Sequence, residues 1–222
     1  MLSTNEDEVF VTAGGVELPV QLSVPDHSSA VVVFAHGSGS SRHSPRNQYV
    51  AAVLRDAGIG TLLFDLLTPA EARDRANVFD IGLLAGRLTD ATRWLRAQRG
   101  TVAIEVGWFG ASTGAAATLR AAAEPDANVS AIVSRSGRPD LAGPYLGAVR
   151  APTLLIVGGL DPVVTDLNRA ARAQLRCPSE LVIVPGATHL FEEPGTMAAV
   201  AEAARGWFRS RLRSLDSMRP LS

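Results

Sequence analysis

Gly107-Trp108-Phe109-Gly110-Ala111-Ser112-Thr113-Gly114-Ala115-Ala116 is the stretch that decides the fold. An apolar run over residues 102–109 predicts a buried strand, and the alanine-rich residues 115–123 predict a helix. A Gly-x-Ser-x-Gly pattern between a strand and a helix is typical of a nucleophile elbow, a turn so tight that small residues must flank its serine. The pattern alone is common by chance and would then mark only a turn. The predicted strand and helix instead favour a reactive Ser112 at a helix N-terminus, where the helix dipole stabilises negative charge.

The composition is that of an ordinary globular protein. With 222 residues, 46% of them hydrophobic and 19% charged, the sequence predicts one folded domain over residues 1–222, with flexible ends at 1–7 and 214–222. A net charge of −1 gives no sign of a nucleic-acid or anionic-membrane partner. No apolar run approaches the ~20 residues of a membrane helix. The polar N-terminal segment is unlike a signal peptide, so we expect a cytoplasmic location.

Cysteine usage and the basic residues narrow the chemistry. The only cysteine is Cys177, so the sequence predicts neither a disulfide framework nor a cysteine-rich metal site. All 21 basic residues are arginine, which excludes lysine as a general base or Schiff-base residue. We therefore predict no metal and no cofactor. The oligomeric state is left open, with a homodimer as one possible assembly.

Strands and helices alternate from residue 30 onward, which predicts an α/β fold. The predicted strands are 8–12, 18–24, 30–35, 60–66, 102–109, 129–134, 153–157 and 181–184, and the predicted helices are 47–57, 78–98, 115–123, 163–175 and 196–213. Residues 68–76 predict a short helix or an ordered loop, and residues 135–150 a short irregular connection. Short apolar strands with helical crossovers indicate a mostly parallel sheet covered on both faces. The first two strands predict an antiparallel hairpin.

Ser112 needs a base, because a serine hydroxyl is a weak nucleophile on its own. The histidines are His27, His36, His43 and His189. His189 follows the last predicted strand, at the sheet edge where the carboxyl ends of parallel strands place ligand groups. Asp161 follows the strand at 153–157 and would orient His189, with Asp140 as the reserve candidate for this role. The sequence therefore predicts a catalytic triad of Ser112, Asp161 and His189.

A tetrahedral intermediate also needs two N–H donors to hold its oxyanion. One is predicted to be the backbone N–H of Thr113, the residue after the nucleophile. The other is predicted to be Ser38, in the loop after the strand at 30–35, where glycines on both sides let the backbone approach a substrate. His36, at the start of that loop, is expected to brace it rather than to act as a base.

These motifs resemble the α/β-hydrolase superfamily, specifically its small lidless branch similar to dienelactone hydrolases. The resemblance covers residues 18–210, and its motifs are His36-Gly37-Ser38-Gly39, Gly110-Ala111-Ser112-Thr113-Gly114, Gly159-Leu160-Asp161 and Gly186-Ala187-Thr188-His189. The chain order serine, aspartate, histidine is also that of the superfamily. Dienelactone hydrolase proper has a cysteine nucleophile, so Ser112 favours a serine carboxylesterase-like enzyme. The short connection over residues 135–150 leaves no room for a helical cap, so we expect an open site.

The resulting hypothesis is a hydrolase that cleaves a small soluble carboxylic ester, thioester or lactone through an acyl-enzyme on Ser112. Two alternatives stay open: an acyltransferase with the same triad, and a non-catalytic binding protein that keeps the fold. Loop arginines further suggest an acidic substrate, since arginine grips a carboxylate through paired hydrogen bonds. The four candidates are Arg42, Arg46, Arg135 and Arg138. The resemblance implies the same, because dienelactone hydrolases bind a carboxylate-bearing lactone with arginines.

Overall fold

The computed structural model describes residues 9–98 and 104–212, and an eight-stranded sheet runs through them. The strands are β1 Val9–Ala13, β2 Val16–Ser23, β3 Ala30–Ala35, β4 Gly60–Phe64, β5 Glu105–Ala111, β6 Ala131–Arg135, β7 Thr153–Gly158 and β8 Ser179–Val184. The helices are α1 Pro45–Asp56, α2 Arg75–Phe79, α3 Ile81–Ala97, α4 Thr113–Ala122, α5 Pro162–Gln174 and α6 Thr196–Arg211. In space the strands follow the order β1-β2-β4-β3-β5-β6-β7-β8. Strand β2 is antiparallel to β1 and β4, and the other neighbours are parallel.

Helices cover the sheet on both faces, so the central strands are buried on each side. Along β3, Val31 and Val33 point into one core and Val32 and Phe34 into the other, as the two-residue period of a strand requires. Helices α3 and α4 pack on the first face, and α1 and α6 on the second. The predicted parallel sheet, N-terminal hairpin and two helical layers are all present.

The predicted helix at 78–98 is wrong as one continuous element. Asp80 leaves the helical conformation at φ −74° and ψ 88°, and its carboxylate accepts the N–H of Leu83, so it ends α2 and caps α3. The apolar spacing continues across this break, which is why periodicity alone concealed it. Several predicted positions lie outside the described residues: Glu8, residues 102–103, residue 213 and the two ends of the chain.

Residues 68–76 and 135–150, whose sequences predict no clear strand or long helix, form ordered 3-10 segments in the structure. Residues 68–76 contain a 3-10 turn, Glu71–Arg73, which is followed directly by α2. Between β6 and β7 the chain forms the 3-10 segment Pro139–Ala148, kinked at Gly143, where φ is +36°. Within the described residues no cap is inserted at that point. The loops after the parallel strands consequently meet at one open edge of the sheet.

Candidate active site

Ser112 occupies the turn between β5 and α4 in a conformation that few residues with a side chain adopt. Its φ is 51° and its ψ is −116°. Its N–H donates to the Arg135 carbonyl at 3.1 Å, and its own carbonyl accepts the N–H groups of Ala115 at 3.1 Å and Arg138 at 3.2 Å. Three hydrogen bonds to two neighbouring segments therefore hold the strained serine in place.

Glycines make this turn sterically possible. A Cβ on Gly110 would run into the backbone of Ala115, and one on Gly114 into the carbonyl oxygen of Ala35. A Cβ on Gly37 would lie 3.0 Å from the Cβ of Ser112. The Gly-x-Ser-x-Gly pattern is thus a packing requirement here, and Gly37 lets the loop after β3 approach the serine.

His189 and Asp161 are in direct contact. The His189 Nδ1 lies 2.7 Å from Asp161 Oδ2, while Asp161 Oδ1 accepts the N–H of Val164 at 3.3 Å as the N-cap of α5. When Nδ1 donates to this carboxylate, Nε2 is left as the nitrogen that can accept a proton.

The loop that carries His189 is tied down by residues that the sequence did not single out. Ser136 Oγ donates to the His189 carbonyl at 2.9 Å, and Thr188 Oγ1 donates to Glu193 at 2.6 Å. A Cβ on Gly158 would strike the carbonyl oxygen of Ala187. The only sequence signal for Ser136 is its place just after a predicted strand.

A cavity of about 190 Å³ brings the predicted residues together. Ser112 and His189 line it with Ser38, Arg46 and Arg135. The backbone N–H groups of Ser38 and of Thr113, which directly follows Ser112, form no hydrogen bond with any residue that the structure describes. Both N–H groups are therefore candidates for binding an oxyanion.

His36 braces the loop after β3. Its Nδ1 contacts the Gly37 carbonyl at 2.9 Å, and its Nε2 accepts the N–H of Leu66 at 3.0 Å. This pattern requires the neutral ring, with the proton on Nδ1. Burial lowers the pKa of His36, which favours the same neutral form.

The structure separates the four candidate arginines into two pairs, of which the first does not line the cavity. Arg42 pairs with Asp65 at 2.5 Å. Arg138 donates two hydrogen bonds to Asp140, at 2.8 and 2.7 Å. The same contact lowers the pKa of Asp140. Asp140, the reserve candidate for orienting His189, therefore serves Arg138 instead.

Arg46 and Arg135 are the two that line the cavity. Arg135 is only 6% exposed, and its Nε has no hydrogen-bond partner. Burial and the charge of Arg46 together lower the pKa of Arg135 to about 10. Arg46 has a buried, unpartnered Nε and reaches only the exposed Glu192, at 3.5 Å. Among the described residues, Arg135 thus has no carboxylate partner, and Arg46 has only the exposed Glu192.

The described residues contain neither a cluster of metal-ligating side chains nor a helix suited to a membrane. No group of three or more histidine, cysteine, aspartate or glutamate side chains there could hold a metal ion. Among the helices in that part of the chain, none combines the length and apolar character needed to cross a membrane.

A model of the dienelactone hydrolase family matches residues 18–216. The chain belongs to the dienelactone hydrolase family. Its structure is similar to a family protein from Anabaena variabilis, with 54% identity, a TM-score of 0.89, and coverage of 93% of this chain and 97% of that one. A lidless α/β serine hydrolase from Xanthomonas campestris shares the fold, with a TM-score of 0.73 at 23% identity over 95% of this chain and 96% of that one. Family membership and structure thus confirm the predicted α/β-hydrolase fold of the dienelactone hydrolase-like branch.

Curated relatives from two strains of Mycobacterium tuberculosis carry names that propose a phosphoribosyl transferase. Each is 61% identical over 207 residues, which are 93% of this chain and 47% of the relative. The chain therefore spans about half the length of the curated relatives it matches.

Proposed function

We propose that this protein is a serine hydrolase that cleaves a small soluble carboxylic ester, thioester or lactone through an acyl-enzyme on Ser112. One observation carries the proposal: the 2.7 Å contact between His189 and Asp161 lies at the cavity that also contains the strained Ser112. Residues from three separate loops meet there, an arrangement for which packing alone gives no reason.

The geometry supports the following cycle. Ser112 Oγ attacks the carbonyl carbon while His189 Nε2 takes its proton. Asp161 holds the ring and stabilises the imidazolium, and the N–H groups of Ser38 and Thr113 hold the oxyanion. His189 then gives the proton to the leaving group, and a water activated by His189 releases the acid. These five residues handle every proton and charge in the cycle.

We further propose that the substrate is anionic. A buried guanidinium without a counter-ion is unfavourable, and an anion in the cavity would supply that counter-ion to Arg135 beside Arg46, whose own partner Glu192 is exposed and 3.5 Å away. Arg42 and Arg138 are not part of this proposal, because carboxylates already pair with them.

Covalent labelling and turnover test the nucleophile. A fluorophosphonate probe should label the wild-type protein but not Ser112→Ala. On a panel of p-nitrophenyl esters, Ser112→Ala should keep at most a residual rate of roughly 10³-fold over water, which binding and the oxyanion donors alone can supply. A variant with wild-type kcat would overturn the assignment. Product analysis with an added alcohol separates hydrolysis, which should give free acid, from acyl transfer.

Matched esters test the arginines. Anionic and neutral esters of equal length are compared, with the charge on the acyl part in one pair and on the alcohol part in the other. At least one pair should show a lower KM for the anion, and salt should weaken this advantage. The advantage should disappear in Arg135→Met and persist in Arg138→Met. Equal KM values in both wild-type pairs would exclude an anion site.

A further inference from the structure

A second cavity, of about 240 Å³, lies beside the first. The two share Gly37, Ser38 and Ser40 of the loop after β3, and Thr113 also lines the second. The strand order places the two cavities on opposite sides of Ser112, because the second is bounded by the segment after β4 and the first by the segment after β6. A carbonyl oxygen held by Ser38 and Thr113 would border both.

The linings of the two cavities differ in chemistry. The first contains Arg46, Arg135 and His189. The second is mainly apolar, and its side chains are Leu66, Leu67, Pro69, Ala72, Val78 and Leu84 with His36 and Asp65 near the shared loop. An ester whose two parts differ in polarity would match this division.

The position of His189 orients the ester. His189 must reach the leaving oxygen to give it a proton, and it lines the first cavity but not the second. The leaving group therefore lies in the first cavity, beside the arginines. The substituent on the carbonyl carbon then extends the other way, into the apolar cavity.

The outer wall of the apolar cavity is held rigidly. Thr68 and Glu71 form a capping box: the Glu71 carboxylate accepts the Thr68 N–H at 2.8 Å, and Thr68 Oγ1 accepts the Glu71 N–H at 3.2 Å. Arg87, which is 3% exposed, pairs with the same carboxylate at 2.7 Å and also donates to the Ala13 carbonyl. A wall tied to α3 and β1 in this way sets a definite upper size for the group it encloses.

We propose that this cavity receives a compact apolar acyl group, so that the negative charge of the substrate resides on its alcohol part. The inference rests on the proposed function. The cavity is smaller than the roughly 300–1,000 Å³ usual for drug-sized ligands, which limits the acyl group to a short one. Ala72 and Val78, which belong to the segment that walls the cavity, determine its length.

The test uses 4-acyloxybenzoates with acetyl, butyryl, hexanoyl and decanoyl groups, and the neutral 4-acyloxybenzamides as controls. Ala72→Phe adds a ring at the exposed rim of the cavity, which Ala72 lines, and Ala76→Phe adds the same ring to an equally exposed position of α2 that does not line the cavity. Ala72→Phe should lower kcat/KM for butyryl and hexanoyl esters at least ~10-fold while acetyl esters change little, since each lost methylene contact changes selectivity by about that factor. Ala76→Phe should match the wild type.

Val78→Ala supplies an independent check, because it enlarges the cavity and should shift the optimum acyl length upward. The benzoate should be preferred over the benzamide, and p-nitrophenyl hydrogen succinate, with its charge on the acyl part, should have no advantage over p-nitrophenyl butyrate. Equal acyl profiles for Ala72→Phe and Ala76→Phe, or a preference for the succinate, would overturn the inference while leaving the hydrolase intact. A wild type inactive on every ester, or an active Ser112→Ala, would instead overturn the proposed function.

Discussion

The two cavities that meet at the loop of residues 37–40 are built in opposite ways. On the side of His189, Ser112 has a strained backbone, and the buried Arg135 lies over the Phe191 ring with its Nε unpaired and no carboxylate partner. On the apolar side, the carboxylate of Glu71 has bonds to both Thr68 and Arg87. Groups that must react or bind are held in unfavourable states, whereas the buried Arg87 beside the apolar wall has a carboxylate and a backbone carbonyl as partners and only its Nε unpaired. This difference predicts that the groups around the cavity of His189, called the reactive side below, lower the free energy of unfolding, and that the groups around the apolar cavity do not.

The largest effect is expected for Asp161→Asn, which alters the side of the site that contains His189. The asparagine can still cap α5 through the Val164 N–H, so the fold should remain, but it no longer stabilises a charged His189. We expect kcat to fall by about 10⁴, as in other triads. Asp140→Asn is the matched control, since that carboxylate contacts Arg138, and it should retain activity. A crippled Asp140→Asn with an active Asp161→Asn would show that the acid has been misassigned.

The sequence predicts those features of the site that depend on local sterics or on the order of the strands. Gly110 and Gly114 indicate the elbow because a Cβ at either position would collide with neighbouring backbone atoms. Asp161 and His189 were found because parallel strands bring their carboxyl ends to one edge. Local sterics and topology can be read along the chain, so these predictions placed the residues that the structure groups around Ser112.

The sequence could not show which arginines face the cavity or how the apolar wall forms, because both depend on contacts between residues far apart in the chain. Arg42 lies in the loop after β3 and Arg46 four residues on, in the first turn of α1, yet only the first reaches an aspartate, 23 residues away, and only the second lines the cavity. The apolar wall was hidden for a related reason. Residues 68–76 carry several charges, but Glu71 turns inward to Arg87 on α3, and only the folded chain shows that contact.

The second test concerns stability and uses Arg135→Met. Because burial and Arg46 lower the pKa of Arg135 to about 10, the charged form is less favourable in the folded state than in the unfolded one. Removing that charge should therefore raise the free energy of unfolding, by roughly 1–3 kcal/mol at neutral pH. Urea denaturation measures the change. Arg138→Met, which breaks a satisfied ion pair at the surface, should give no such gain. A destabilised Arg135→Met would mean that the reactive side carries no strain from this charge.

The smallest expected effect is an acid sensitivity at the shared loop. His36 must be neutral to accept the Leu66 N–H, and burial lowers its pKa. As the pH falls below about 6.5, the ordinary pKa of histidine, His36 becomes protonated in the unfolded chain but stays neutral in the folded protein. Stability contributed by this site is thus present above that pH and is lost below it, by at most about 1.4 kcal/mol per pH unit.

The test measures the free energy of unfolding by urea between pH 7 and 5. In His36→Asn, which can still donate and accept hydrogen bonds, this free energy should fall less steeply with falling pH than in the wild type. His43→Asn removes a histidine of the same loop that contacts neither Gly37 nor Leu66, and it should keep the wild-type slope. An equal slope in His36→Asn and the wild type would mean that the loop tolerates a charged His36 ring, and that His36 makes no pH-dependent contribution to stability.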